Sequence, residues 1–341
     1  MANKIEVCIL IPNYDGQEYL FDCLNALVGQ TYKDFKIILI DDASNDGSVS
    51  YVNNHFPQVD ILKLGNNVGF AQAVNLGIKH AFDRYQPKYL AFLNNDTSAD
   101  PVWLQALVAA VESGQKIAAV SSNMVFFDQP GIINSQGGTC DLIGYAKDIN
   151  CGKRVKDGYD SQRLILSACW GAALVKTSTL EDVGLLDERY FSFAEDVDWG
   201  WRANLLGYQI IFEPKALVLH HGSASWRGQD LRRHKLCFRN MFCTLLKNYS
   251  TPRLFMMLVV VLLHYPLVSL GYALNIKLKA GRLVRVFEGK NSLTARLWSS
   301  LIPWQSLAWN LKELKTTMNF RKSVQARRRV ADREIIKLMD L

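Results

Sequence analysis

The sequence predicts an α/β protein: a mainly parallel sheet flanked by helices, with a helical extension after residue 230. Three observations carry this. Apolar runs of strand length alternate with stretches of helical spacing through the first hundred residues. Several of those runs end abruptly in short polar signatures. The charge then changes sign along the chain. Residues 1–230 hold 18 Lys/Arg against 27 Asp/Glu, a balance of −9, and residues 231–341 hold 21 against 5, a balance of +16. An acidic body joined to a basic tail divides the 341 residues into two regions, 1–230 and 231–341.

The elements follow in order. Residues 7–11 are a buried strand, and residues 16–30 take helical spacing from Tyr19, Leu20, Cys23, Leu24 and Leu27. Residues 35–40 form the next strand, 48–56 a helix, 59–63 a strand, 69–84 a helix and 89–93 a strand. Such alternation predicts parallel strands covered by helices. In that architecture ligands bind beyond the carboxyl ends of the strands. Three of those ends are polar: Pro12-Asn13-Tyr14, Asp41-Asp42-Ala43-Ser44 and Asn94-Asn95-Asp96. Any one alone reads as a surface turn. Three on one rim make a site. No GxGxxG and no GxxxxGK[ST] follows the first strand, which excludes a dinucleotide fingerprint and a P-loop.

Seven cysteines without CxxC or CxxxxC spacing point to free thiols in a reducing compartment, not to a disulfide framework or a zinc site. The first apolar segment is too short for a signal peptide. In the basic tail, residues 254–274 run for 21 positions without Lys, Arg, Asp or Glu, close to the length of a membrane span. His264, Pro266 and Gly271 interrupt it, and Lys247, Arg253, Lys277 and Lys279 flank it. A membrane-associated or re-entrant segment is the leading reading, with a true span and a buried core helix as alternatives. Nucleic acid is not an expected partner, because an uncharged apolar stretch has no use there.

Six stretches carry a resemblance: VCILIPNYDG (7–16), IILIDDASNDGS (37–48), NNVGFAQAVNLGI (66–78), LAFLNNDT (90–97), CWGAALVKTSTLEDVGLLDERYFSFAEDVDWGWRANLLGY (169–208) and LVLHHGSASW (217–226). In this order they resemble the family 2 glycosyltransferases of the GT-A fold, in their rhamnosyltransferase-like branch. The tail resembles the membrane-associating helical extension of many such enzymes. The resemblance implies a donor-nucleotide site at Pro12, Asn13, Asp41 and Asp42, with Asp42 nearer the base. It adds Gly69 and Asn75 on the donor side. Asn94-Asn95-Asp96 stands at the family's DxD position, where Asp96 would hold a divalent metal, Mg2+ or Mn2+. Asp196 matches the general base, and His220 the late histidine near the metal or diphosphate. Asn94 departs from the pattern by replacing the first Asp, which leaves metal affinity to Asp96 and the donor phosphates.

The chemistry argues the same way. Transfer from a nucleoside diphosphate sugar needs a hard dication on the leaving group and a carboxylate to take the acceptor's proton. One base without a paired nucleophile implies inversion. Acids at 195, 196 and 198 could be simple first-turn helix acids, but three beside Phe193, Trp199 and Trp201 exceed that need. Glu195 and Asp198 are expected to orient the acceptor or support the structure, with Arg202 pairing one of the acids. Trp170-Gly171 reads either as core aromatic and turn or as part of the acceptor site. His55, His80 and His234 receive no role, and Arg327-Arg328-Arg329 reads as a solvated helical face or a lipid head-group contact.

The expected function is therefore metal-dependent transfer of a sugar, rhamnose from dTDP-rhamnose first, to a glycan or polyprenyl-linked acceptor. The setting implied is bacterial cell-surface polysaccharide synthesis at the cytoplasmic face of the membrane, on an anionic membrane surface. Two alternatives stand beside it. A nucleotidyltransferase also uses strand-end carboxylates and metal, but Pro12-Asn13-Tyr14-Asp15-Gly16 lacks the lysine such loops usually carry. A non-catalytic nucleotide-sugar or lipid-binding membrane protein leaves the acids at 195–198 unexplained.

Overall fold

Strand β1 (Val7–Asn13) is almost wholly buried, and its alternating side chains feed two separate cores. Val7, Ile9 and Ile11 face one layer with α1 (Gln17–Val28); Cys8 and Leu10 face the other. The computed structural model describes residues 5–222, 230–279, 282–285 and 293–339. The expected alternation continues as β2 (Phe35–Asp41), α2 (Ser48–His55), β3 (Asp60–Lys63), α3 (Phe70–Tyr85) and β4 (Tyr89–Leu93). β1 pairs in parallel with β2 and β4, and β2 in parallel with β3. β1 and β2 run further than the sequence suggests, because Asn13 still pairs in register with Asp41.

The middle of the chain adds β5 (Thr97–Ala99), α4 (Trp103–Glu112), β6 (Ile117–Phe126), β7 (Ile133–Ser135), β8 (Gly138–Cys140) and β9 (Ala146–Asp148). It continues through β10 (Arg163–Ile165), β11 (Ala172–Lys176), α5 (Thr177–Val183), α6 (Glu195–Leu205) and β12 (Gln209–His220). The main sheet has ten strands, ordered β10-β12-β6-β11-β4-β1-β2-β3, with β5 on β12 and β7 on β6. β11 lies antiparallel between β4 and β6 and makes the sheet mixed. β12 runs from Gln209 to His220, because an irregularity between Glu213 and Leu217 lets pairing with β6 resume across Pro214.

The basic region folds onto the body. α7 (Asp230–Asn248) and α8 (Thr251–Leu274) share a third core with Cys140, Leu166, Val197 and Trp201. Trp201 meets Tyr249 edge-on at 4.8 Å. After the hairpin β13 (Ile276–Lys279) and β14 (Arg282–Arg285) come α9 (Leu293–Ser300), α10 (Ile302–Lys312), α11 (Leu314–Ala326) and α12 (Asp332–Ile336). α11 secures the end of α7. Arg321 donates to the carbonyls of Leu246 (2.9 Å) and Tyr249 (2.6 Å), and Gln325 to those of Lys247 (3.1 Å) and Asn248 (3.0 Å). A cation at a helix C-terminus satisfies carbonyls the helix itself cannot.

α8 is long and apolar enough, by length and composition, to cross a membrane. Its two faces differ. Leu254, Met257, Val261, Tyr265 and Tyr272 recur at helical spacing and are buried against the rest of the chain. Phe255, Leu263 and Leu267 stand on the other side, each about two-thirds exposed (67, 68 and 68%). Pro266 sits inside the helix without ending it. The side chains of Lys277 and Lys279 lie outside the described residues, as does the stretch 223–226 that closes the last sequence motif.

Arg327-Arg328-Arg329 follows α11 and is not on a helical face, although Arg327 and Arg329 are exposed as expected. Arg327 pairs with Asp182 at 3.6 Å, Arg328 with Asp332, and the Arg329 backbone amide donates to Leu205. These residues fasten the chain to α5, α6 and α12. All seven cysteines are free, as the spacing predicts.

Candidate active site

The first wall of the site is the carboxyl rim of the parallel strands. Asn95 Nδ2 donates to Asn13 Oδ1 at 2.7 Å, and Asn13 Nδ2 donates to Ser44 Oγ at 3.1 Å. The three polar strand ends thus meet side by side. Gly16 lies under them, where a Cβ would come within 2.0 Å of Asn95 Nδ2. Asp42 accepts the amides of Val68 (2.8 Å) and Gly69 (3.0 Å), tying β2 to the start of α3. Burial pushes its carboxyl above the ordinary value, against the pull of those two amides. Gly69 has φ +83°, and a Cβ there would lie 2.5 Å from the ring of Phe191. Only glycine lets the two walls come this close.

Asp96 and His220 arrive together because β5 pairs with β12, with Thr97 opposite His220. His220 Nε2 lies 3.1 Å from Asp96 Oδ1, and Nδ1 lies 2.9 Å from Asn134 Oδ1. If Nδ1 donates to Asn134, the neutral ring turns the Nε2 lone pair toward a carboxylate oxygen. Two acceptors facing each other need a proton or a cation between them. A carboxylate with an imidazole would suit a divalent cation such as Mg2+ or Mn2+. Among the described residues no group of three or more His, Cys, Asp or Glu converges. His221 packs away, stacked on Phe127 at 4.0 Å.

The opposite wall is a strained loop. Phe191, Phe193 and Ala194 have φ of +63°, +73° and +64°, left-handed values that cost non-glycine residues about 1–3 kcal/mol each. The loop delivers Glu195 and Asp196 into the first turn of α6. Asp196 Oδ1 accepts the amide of Val197 at 2.7 Å. Burial, then the charge of Asp148, pushes the Asp196 carboxyl up to about 6. Burial, then Asp196, pushes Glu195 up to about 8. Glu195 Oε2 and Trp170 Nε1 are both buried without a hydrogen-bond partner, and both residues line the cleft. The Trp170 ring itself is core, stacked on Phe92 at 4.2 Å.

Helix α7 braces this loop. Asn240 Nδ2 donates to the carbonyls of Tyr190 (3.1 Å), Ser192 (2.9 Å) and Phe193 (2.7 Å). Arg239 donates to those of Arg189 (2.8 Å) and Tyr190 (2.6 Å). Lys247, fully buried, reaches Asp187 and Asp198, each at 2.9 Å. Burial lowers its pKa, but the two carboxylates outweigh that and leave it raised. Asp198 also pairs with Arg202 at 3.0 Å, the partner expected from the sequence.

Between the walls lies a cleft of about 610 Å³. Pro12, Asn13, Asp42 and Gly69 line it from the donor-side set, with Asn94, Asn95, Asp96 and His220. Trp170, Gly171, Glu195 and Asp196 line it from the other. Asp41, Asn75 and Asp198 do not reach it. Asn75 instead bridges α3 to Leu186 and Glu188. The cleft also takes in residues the sequence did not single out: Asp148, Phe191, Arg232, Arg233 and His234. The guanidinium groups of Arg232 and Arg233 lie over Phe191 (4.9 Å) and Phe193 (5.3 Å). Asp148 has no motif around it, and the two arginines belong to the tail, so neither carried a signal.

Residues 8–170 match the model of the family described as Glycosyl transferase family 2. Over these residues, a little under half of the chain, the sequence is similar to that family. The chain is similar to a poly-β-1,6-N-acetyl-D-glucosamine synthase of Staphylococcus epidermidis, 29% identical over 216 residues, 62% of this chain and 48% of that one. It thus spans about half the length of the curated relatives it matches first. Among solved structures, S. aureus TarS 1–349 in complex with UDP superposes with a TM-score of 0.53 at 17% identity, over 94% of this chain and 91% of that one. The mannosyltransferase PcManGT from Pyrobaculum calidifontis, in complex with GDP-Man and Mn2+, gives 0.51 at 15%, over 96% and 88%. These likenesses show the GT-A fold, here followed by a C-terminal helical region.

Proposed function

We propose that the chain is an inverting, metal-dependent glycosyltransferase acting on a nucleoside diphosphate sugar. The observation that supports this best is one cleft lined both by the Asp96–His220 pair and by Asp196, a carboxylate with a raised pKa. In the proposed reaction the acceptor hydroxyl oxygen bonds to the anomeric carbon as the bond from that carbon to the diphosphate oxygen breaks. The nucleoside diphosphate leaves with the electron pair, and the hydroxyl proton passes to Asp196. A divalent cation held by Asp96 and His220 would supply positive charge to the departing diphosphate. Asn13, Asp42 and Gly69 hold the nucleotide end. Glu195, kept protonated near neutral pH by burial, and Trp170 Nε1 offer unpartnered polar atoms to a sugar hydroxyl.

The finer readings are also proposals. Rhamnose from dTDP-rhamnose is supported by the motif resemblance alone, and the solved neighbours carry UDP and GDP-Man. A glycan or lipid-linked acceptor in bacterial surface polysaccharide synthesis is supported by the relatives' synthase activity. Attachment at the cytoplasmic face is supported by the exposed apolar face of α8 and the basic balance of residues 231–341. Residues 1–230 are proposed to perform the transfer and 231–341 to seat the protein on the membrane. The test is nucleoside diphosphate release from a panel of dTDP-, UDP- and GDP-sugars, with Mn2+ or with chelator. Metal-dependent release from one donor is expected. Release from none, or release unaffected by chelator, overturns the reading.

A further inference from the structure

We infer that α7, the first helix of the basic region, belongs to the catalytic apparatus, and that Asn240 is the positioning residue that holds the 191–194 loop and through it Asp196. The inference rests on the proposed role of Asp196 as base. The geometry is specific. Asn240 is fully buried, and its amide nitrogen meets three carbonyls of one loop at 3.1, 2.9 and 2.7 Å. Its Oδ1 accepts from Arg239 Nε at 3.0 Å, which fixes which way the amide points.

The loop's carbonyls are divided between its neighbours. Those of Arg189, Tyr190, Ser192 and Phe193 go to two side chains of α7, and that of Phe191 goes to the amide of Ala71 in α3. Three left-handed residues that are not glycine have little reason to keep this shape alone. A turn further along α7, Thr244 bonds the hydroxyl of Tyr190 at 2.6 Å. Asp196 begins two residues after the last left-handed position, so a loop that relaxes moves the carboxylate relative to the donor. Displacement of a reacting group by about 1 Å can cost 10²-fold in rate. α8 follows α7 after only Tyr249 and Ser250, so the helix that seats the protein and the helix that positions the base are nearly continuous.

The test uses the full chain. Asn240→Ala should lower kcat by about tenfold to 100-fold with donor KM changed by less than about twofold. In an Asp196→Asn background the same substitution should add little, because a positioning residue has nothing left to position. An unchanged kcat in Asn240→Ala, a loss confined to donor KM, or a full additive loss in the double variant overturns the inference. A normal rate in Asp196→Asn alone overturns the base reading, a different result. Should Asn240→Ala fail to fold, Thr244→Val removes the hydroxyl that contacts Tyr190 and donates to the Asn240 carbonyl one turn back in α7. It should show the same kcat-only loss at smaller size, and an unchanged kcat there also overturns the inference.

Discussion

The two walls of the cleft are built on opposite principles. The donor-side wall is the rim of three neighbouring parallel strands, and its side chains bond to residues on the same rim. The other wall is a loop in left-handed conformation, held by side chains from a helix some fifty residues further along. The first wall follows from local pattern, since strand ends in an α/β sheet must turn and must expose polar groups. The second exists only because distant buried polar groups agree. Position is inherited on one side and enforced on the other.

Substitutions on each wall should break different things. Asp96→Ala should abolish metal-dependent donor turnover, seen as loss of nucleoside diphosphate release with and without acceptor. Asp196→Asn keeps size but removes basicity, so transfer should fall by about 10²-fold or more while donor affinity changes little. Equal effects on affinity from the two variants would erase the distinction between the walls.

The next contrast is in stability. Lys247→Met removes the ion shared by Asp187 and Asp198, which are 4% and 0% exposed, and should cost about 3–5 kcal/mol in denaturant unfolding. On the outside of the sheet, Lys88→Ala breaks a pair with Glu112 between side chains 55% and 46% exposed, and should cost less than about 1 kcal/mol. A Lys247→Met variant as stable as Lys88→Ala would mean that the buried ion pairs of Lys247 contribute no more than a surface pair.

The smallest effect is in pH. As the proposed base, Asp196 would need to be ionised to accept a proton, and its pKa is pushed up to about 6. Transfer should therefore fall as pH drops through about 6. Asp148, on β9, raises that value, so Asp148→Asn should move the acidic limb to lower pH. Near pH 6 Glu195 is neutral, its pKa being pushed up to about 8, and Asp198 is unchanged in that variant, so neither cancels the shift. A limb that stays in place would remove Asp148 from the electrostatics of the site.

The legibility of the sequence follows the same division. The strands through residue 93 and their polar ends can be read from apolar runs and turn residues, because each signal is local. The role of Asn75 cannot, since its bonds to Leu186 and Glu188 depend on chain packing. Asp148, Arg232 and Arg233 lie in segments with no motif, and the fold alone brings them to the cleft. The basic balance of residues 231–341 also concealed that some of its cations turn inward. Lys247 and Arg321 are buried, and no periodicity separates them from lysines and arginines at the surface.

The cap that α11 places on α7 has a consequence for how the protein is made. Synthesis proceeds at roughly 5–20 residues per second, and domains fold as their segments emerge from the ribosome. The strands of the donor-side rim leave the tunnel early and hold everything they need to pair. The loop before Asp196 waits for Asn240, and α7 in turn waits for Arg321 and Gln325 to close its last carbonyls. A nascent chain should therefore acquire the proposed nucleotide pocket well before it positions the proposed base. On that proposal, a chain stalled on the ribosome before residue 321 emerges would bind nucleotide and fail to transfer.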